Sequence, residues 1–151
     1  QGRLNVGEVM APPLIRQVKV KVPAAAVTII DCPPGTSCPV IEAVRDVELV
    51  VLVSEPTPFG LYDLTLMADT LKTLAIPAGV IVNRCDIGND ALYEFCRREN
   101  LPILAEIPHD RQIAASYSRG ALITEVLRAY REIFANLWEK VLTLLPSPRT
   151  R

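Results

Sequence analysis

Residues 78–83 read AGVIVN, where Val80, Ile81 and Val82 form an unbroken β-branched run that stops at a carboxamide, Asn83. Apolarity without alternation predicts a strand buried on both faces, as strands are in parallel sheets. The pattern recurs at 27–30 (VTII), 48–53 (ELVVLV) and 102–107 (PILAEI). Between these runs, 40–44, 61–74 and 91–98 carry apolar residues at helical spacing. Strand and helix alternate, so the predicted fold class is α/β, a mostly parallel sheet flanked by helices. Upstream, 4–9 reads as a short strand, and the prolines of PPLIRQVKVKV suit a helix start. Downstream, one long helix over 125–145 is predicted, with Leu127, Tyr130, Phe134, Leu137, Val141 and Leu145 on one side. Its other side mixes Arg128, Arg131, Glu132, Glu139 and Lys140, which favours docking on the sheet over lying on a membrane, where a one-signed basic face is expected. The tail PSPRTR, 146–151, is expected to be disordered, leaving 1–145 as the folded domain.

At 151 residues, half apolar and 22% charged, the chain has the balance of one globular domain with a sizeable core. A formal net charge of −1 leaves no basic footprint, so no nucleic-acid partner is expected. Cys32, Cys38, Cys85 and Cys96 form no CxxC pair and follow no signal peptide, which points to a reducing, cytoplasmic setting. No apolar run reaches the ~18 residues of a membrane span, so no membrane association is expected. The first residue is Gln1, not Met, and an upstream segment is expected.

Ligands of open parallel sheets sit outside the carboxyl ends of the strands. The residues that follow the apolar runs are therefore the site candidates: Asp31, the segment 55–57, Asn83 with Arg84, and Pro108 with His109 and Asp110. In VTIIDCPPGTSCP (27–39), Asp31 directly follows a predicted strand and precedes PPG. One reading makes it the carboxylate that holds Mg²⁺ through a water; the other makes it a cap for the following turn. The residues alone support both.

Four stretches in order, VTIIDCPPGTSCPVIEAV, SEPTPFGLYDL, GVIVNRCD and LAEIPHDRQIAASYSRGALITE, resemble the MinD/ParA-like P-loop ATPases. The resemblance is closest to the MinD-superfamily ATPases with an inserted ferredoxin domain, beside the Mrp-type iron–sulfur carriers and the nitrogenase iron protein. It implies Mg-ATP as ligand and a homodimer switched by hydrolysis. It also implies an iron–sulfur cluster in the part not seen here, and a redox or iron–sulfur protein as partner. Asp31 then corresponds to the acid on the metal side, and 33–36, with Thr36, to the loop that responds to the γ-phosphate. Asn83 corresponds to the asparagine on the adenine edge, and Pro108 to the loop lying against the base. A carboxamide offers that edge both a donor and an acceptor. The competing readings are a strand-end turn for Asn83 and, for Pro108, an ordinary turn before a helix capped by Asp110. His109 reads as a turn or rim residue.

The phosphate-cradling pattern G-x-x-x-x-G-K-[ST] is absent from this sequence. By the family's order that loop lies near the N-terminus, followed by the ferredoxin insert and then a segment like GRLNVGEVMAPPLI. The chain therefore reads as a C-terminal portion that joins its own N-terminal half, inactive alone. With the phosphate-loop strand missing, 27–30 is expected to pair directly with 48–53, or to accept a strand from a second chain.

Cys38 lies seven residues after Asp31 at a predicted helix start, where a thiol is acidified. By resemblance to the nitrogenase iron protein it is a candidate iron–sulfur ligand; otherwise it is a small residue packing that helix. Cys32 would join it only if the loop folded back, and Cys85 and Cys96 read as core or helix cysteines. Phe59 and Tyr62 either pack into the core or meet a partner, which keeps open a second reading of the chain as a non-catalytic α/β module that docks another chain.

Overall fold

The computed structural model describes residues 11–23, 25 and 27–146. The chain divides into two compact units between Val47 and Glu48.

In the second unit, β2 (Ala78–Asn83) is the middle strand of a parallel three-stranded sheet, between β1 (Val50–Ser54) and β3 (Ile103–Ile107). Val80 and Val82 are wholly buried against Leu64 and Ala68 of α3 (Pro58–Thr73) and Leu92, Phe95 and Cys96 of α4 (Ala91–Arg98). Ile81 points to the other face, where it joins Leu104 and Ala105 under Ile133, Leu137, Val141 and Leu144 of α7 (Arg128–Leu144). Cover on both faces is why the run does not alternate. Burying a side chain of this size stabilises by about 1.5–3 kcal/mol. One irregularity follows the packing: Val80 is opposite Ile103 but Ile81 is opposite Ala105, so Leu104 is extra. Leu104 lies over Gly79, where an added Cβ would fall 2.6 Å from Leu104 Cδ1.

The predicted strands at 48–53, 78–83 and 102–107 all form, as do the helices predicted at 61–74 and 91–98. Thr57 starts α3 by accepting the Gly60 N–H at 3.1 Å, next to Pro58 in the first turn. Asp110 caps α5 (Arg111–Tyr117), its Oδ1 accepting the Gln112 N–H at 2.8 Å, as its sequence position suggested. The expected single helix over 125–145 is corrected to α6 (Ile123–Val126) and α7, separated by the extended backbone of Leu127. The sheet-facing stripe of α7 begins at buried Tyr130 and continues through Ile133 in place of Phe134 and Leu144 in place of Leu145. Neighbouring positions are both apolar there, so periodicity alone does not choose between them.

In the first unit, α1 (Ala11–Val20) starts at the expected prolines, and α2 (Cys38–Val44) extends the helix predicted at 40–44. Arg16 grips Glu42 with two hydrogen bonds, Nε to Oε1 at 2.8 Å and Nη2 to Oε2 at 3.0 Å. This bidentate pair holds the Glu42 carboxyl below the usual carboxylate range. Lys19 completes the contact, its Nζ donating to the carbonyls of Glu42, Ala43 and Arg45 at the end of α2.

Two expectations are corrected. Segment 27–30 forms no strand, and Ile29 is 86% exposed. Its direct pairing with 48–53 is likewise not found: β2 is the strand that pairs with β1. An apolar run becomes a strand only where a neighbouring backbone takes up its N–H and C=O groups, and composition does not supply that neighbour. β1 is also not covered on both faces, since Val53 is 66% exposed. The expected strand at 4–9 and, apart from Pro146, the tail at 146–151 lie outside the described residues.

The loop after β2 turns at Gly88 with φ +79°, and a Cβ there would overlap the Pro56 carbonyl oxygen in the loop after β1. Gly120 has a similar φ of +69° with open space around it. Gly88→Ala should therefore destabilise by roughly 3 kcal/mol, combining overlap with backbone strain, and Gly120→Ala by about 1 kcal/mol. Urea denaturation of the two variants checks the order; equal losses would show that the Pro56 contact is not tight.

Candidate functional site

The carboxyl ends of the three strands carry Glu55, Asn83 with Arg84, and Pro108. Glu55 follows buried Ser54, whose Oγ donates to the Gly60 carbonyl at 2.9 Å. A Cβ on Gly60 would overlap the Glu55 carbonyl oxygen, so the start of α3 fits closely over the Glu55 backbone. The Glu55 carboxylate in turn reaches the end of β2: Asn83 Nδ2 donates to Oε1 at 3.4 Å, and Arg84 Nη1 lies 3.7 Å from Oε2.

Arg84 occupies the left-handed region with φ +51°, an uncommon place for a residue with a side chain. This turn brings Cys85 round to donate its N–H to the Ile107 carbonyl at 3.1 Å. One residue further, Asp86 Oδ1 accepts the His109 N–H at 2.6 Å. The loops after β2 and β3 are thus bonded together, one following Asn83 and the other beginning at exposed Pro108. Beneath them Asp110 caps α5 and accepts the Tyr130 hydroxyl at 3.0 Å through Oδ2.

The electrostatics follow from these contacts. The His109 backbone N–H holds the Asp86 carboxyl below the usual aspartate range, with smaller help from the charges of His109 and Arg84. Burial, reinforced by Asp110, pushes the Tyr130 phenol up. Burial also raises the Cys85 thiol, with Glu106 and Asp86 adding to it. His109 takes part through its backbone, and it is exposed, as a rim residue is.

Asp31, Thr36 and Cys38 belong to the first unit. Asp31 is exposed and Thr36 half-buried, in the loop before α2 where Gly35 turns at φ +88°. Cys38 is the first residue of α2 and is exposed, not packed into the helix start. Cys32 is half-buried, its Sγ 3.7 Å from the Ile30 carbonyl oxygen, and its thiol is raised by burial and then by Asp31. Among the described residues no group of three or more His, Cys, Asp or Glu side chains could hold a metal ion. A four-thiolate iron–sulfur site does not fit this ligand set, whereas a lone carboxylate such as Asp31 fits Mg²⁺ held through water.

The sequence reading named Asn83 and Pro108, which the structure brings to one edge. It gave no role to Asp86 or Tyr130, and named Glu55 only by position. The available signal was spacing: Asp86 lies just beyond the carboxamide, in a loop that closes at Gly88.

Two outcomes follow. The lowered Asp86 pKa means its bond to His109 adds stability above the ordinary aspartate range, about pH 4, and loses that contribution as pH falls through the lowered value. Asp86→Ala and the parent chain should therefore differ in urea midpoint near pH 7 and converge in acid; a pH-independent gap would contradict this. Among the thiols, Cys38 should label first with an alkylating reagent near neutral pH, because it is exposed while burial raises Cys85 and Cys96. Mass-spectrometric labelling led by Cys85 or Cys96 would count against it.

No protein-family model matches the chain. An uncharacterized protein of Methanocaldococcus jannaschii is 29% identical over 140 residues, covering 89% of this chain and 48% of that protein. An iron–sulfur cluster carrier protein of Rickettsia bellii is 30% identical over 105 residues, covering 66% of this chain and 33% of the carrier. Among solved structures, the septum site-determining protein MinD of Pyrococcus horikoshii, complexed with Mg-ADP, superposes with a TM-score of 0.66 and 26% identity, over 87% of this chain and 55% of MinD. The chain thus spans about half the length, or less, of these relatives. It has the MinD-type P-loop NTPase fold, and its relatives in structure and sequence are MinD ATPases and an iron–sulfur cluster carrier.

Proposed function

We propose that this chain is the C-terminal part of a MinD-like, Mg-ATP-dependent ATPase associated with iron–sulfur chemistry, and that its sheet edge receives the adenine base. The observation that carries the reading is the pair of tied loops: Cys85 N–H to Ile107 and Asp86 to His109 N–H hold Asn83 and Pro108 on adjacent strand ends. A base-recognising amide on a rigid strand end loses little freedom on binding. Pro108 offers an apolar ring for the face of the base, and Asn83 a donor and an acceptor for its edge.

In this reading Asp31 is the acid on the Mg²⁺ side, and Thr36 with its loop responds to the γ-phosphate. Mg²⁺ bound with ATP would neutralise phosphate charge during hydrolysis to ADP and phosphate. Support comes from the relatives: the Pyrococcus MinD is a Mg-ADP complex, and the Rickettsia relative is a carrier of iron–sulfur clusters. The partner is a second copy or the chain's own N-terminal half, with a redox or iron–sulfur protein downstream.

A specific observation favours the second reading, a non-catalytic module that docks another chain. Phe59 is 85% exposed and Tyr62 64% exposed at the start of α3, so neither packs into the core. The two readings differ in what nucleotide does.

Magnitudes set the test. Neutral hydrogen bonds add roughly 0.5–1.5 kcal/mol each, whereas binding must first overcome at least about 4 kcal/mol of lost rigid-body freedom. This chain alone should therefore bind Mg-ATP weakly or not at all in calorimetric titration. A longer form that includes a phosphate-binding loop should bind at micromolar concentration, and Asn83→Ala in that form should weaken binding about tenfold. Micromolar binding by the short chain would contradict the division of the site. Failure of the longer form would sink the ATPase reading and leave the docking module.

A further inference from the structure

The two faces of the sheet are covered unequally. Helices α3 and α4 lie on one face, and α7 alone on the other, where it packs on β3 and β2. Val51 and Val53 of β1 stand opposite Gly79 and Ile81 of β2, so they share the α7 side, and both are exposed. Leu52 between them packs against the cluster under α3 and α4. Helix α7 has an exposed apolar flank of its own. Phe134, Trp138 and Leu142 recur every four residues, each one position after a sheet-facing residue, Ile133, Leu137 or Val141. Lys140, one position before Val141, is on the opposite flank, and its Nζ donates to the Ile103 carbonyl of β3 at 3.4 Å. β3 is the strand farthest from β1, so the Phe134 flank turns toward β1. Val51 and Val53 thus form the floor, and Phe134 with Trp138 one wall, of an uncharged groove that is open on its other side within the second unit.

The two outer strands differ in the same sense. Along β3, Lys140 occupies the Ile103 carbonyl and the Glu106 carboxylate accepts the Tyr93 hydroxyl at 2.8 Å, charges that blunt this edge against further pairing. β1 reads VVLVS with no charge, which leaves its outer edge a template for another strand.

We propose that the groove over β1 seats the N-terminal half of the protein: a strand of that half pairs with the outer edge of β1, and an amphipathic helix lies beside α7 with its apolar stripe on Val51, Val53, Phe134 and Trp138. This rests on the reading of the chain as a C-terminal part. The chain covers 48% of the Methanocaldococcus relative and 55% of the Pyrococcus MinD, so a half of similar size is there to supply both elements. Spacing gives the same partner. Neighbouring helices sit about 8–10 Å apart, which is two strand spacings of about 4.8 Å. From α7, over β2 and β3, that step reaches β1 and the strand next outside it. A strand alone would leave the floor and wall of the groove wet, and a helix alone would leave the edge unpaired; a strand joined to a helix covers both.

The test uses Val53→Cys and Phe59→Cys, each made in this chain and in the full-length protein, with maleimide labelling followed peptide by peptide in a mass spectrometer. Both should label readily in this chain alone, since Val53 and Phe59 are exposed. In the full-length protein Val53→Cys should label at least about tenfold more slowly, while Phe59→Cys on α3 keeps its rate, a tenfold change being one that a site closed more than nine-tenths of the time produces. Unchanged labelling of Val53→Cys, or the same slowing at both positions, would overturn the proposal. Slow labelling in this chain alone that recovers on dilution would assign the groove to a second copy and overturn it as well. Val53→Lys is the second variant: it should leave the urea midpoint of this chain in place and lower that of the full-length protein by roughly 1 M, because only there is the charge buried. An equal shift in both forms would contradict the seat. Titration of Mg-ATP into the full-length protein keeps the two readings apart. Protection of Val53→Cys without nucleotide binding would leave this interface standing and remove the ATPase reading; nucleotide binding with Val53→Cys unprotected would do the reverse.

Discussion

The structure of the second unit depends on β2 being enclosed on both faces. Val80 and Val82 are packed under α3 and α4, Ile81 under α7, and this side-by-side opposition leaves the strand no freedom to shift along its axis. A one-residue slip would turn every one of these side chains to the wrong layer. What stands at the end of the strand is fixed by what is buried along it. Asn83 is therefore placed by apolar packing, and only its amide orientation is left to polar neighbours.

Those neighbours form a second layer of constraint. Arg84 turns through a strained conformation, Cys85 and Asp86 bond to the backbone that follows β3, and Gly88 lies against Pro56 after β1. Each bond is modest alone, about 0.5–1.5 kcal/mol for an uncharged pair and more with a carboxylate. Their joint effect is to tie three loops to one another. A left-handed residue with a side chain at a strand end persists only where its surroundings over-determine it. Its position beside the proposed base pocket agrees with the habit of binding sites to keep such geometry.

Much of this was legible in the sequence, for definite physical reasons. The β-branched run at 80–82 and the apolar run at 103–105 have one stable use in a small α/β domain, and the strands form there. The Asp110 cap and the proline starts of α1 and α3 are local chemistry, readable from single residues. The run at 27–30 looks the same as the others but forms no strand, because a strand also needs a neighbouring backbone, which is a non-local condition. The break at Leu127 and the choice of Ile133 over Phe134 as sheet-facing residues escape the pattern for a related reason: adjacent apolar residues are equivalent until a surface selects one. At the site, Asn83 and Pro108 were reachable through strand ends, whereas the Glu55 contact spans 28 residues of sequence and no local spacing announces it.

The central claim is that the carboxyl edge of this sheet is the base side of a nucleotide site. It is tested most directly by a crystal structure of the full-length protein with Mg-ADP. The account expects the Asn83 amide within about 3 Å of the N6 and N7 edge of the adenine, with Pro108 against the face of the ring. Adenine bound elsewhere, with Asn83 bonded only to its own loop, would contradict it.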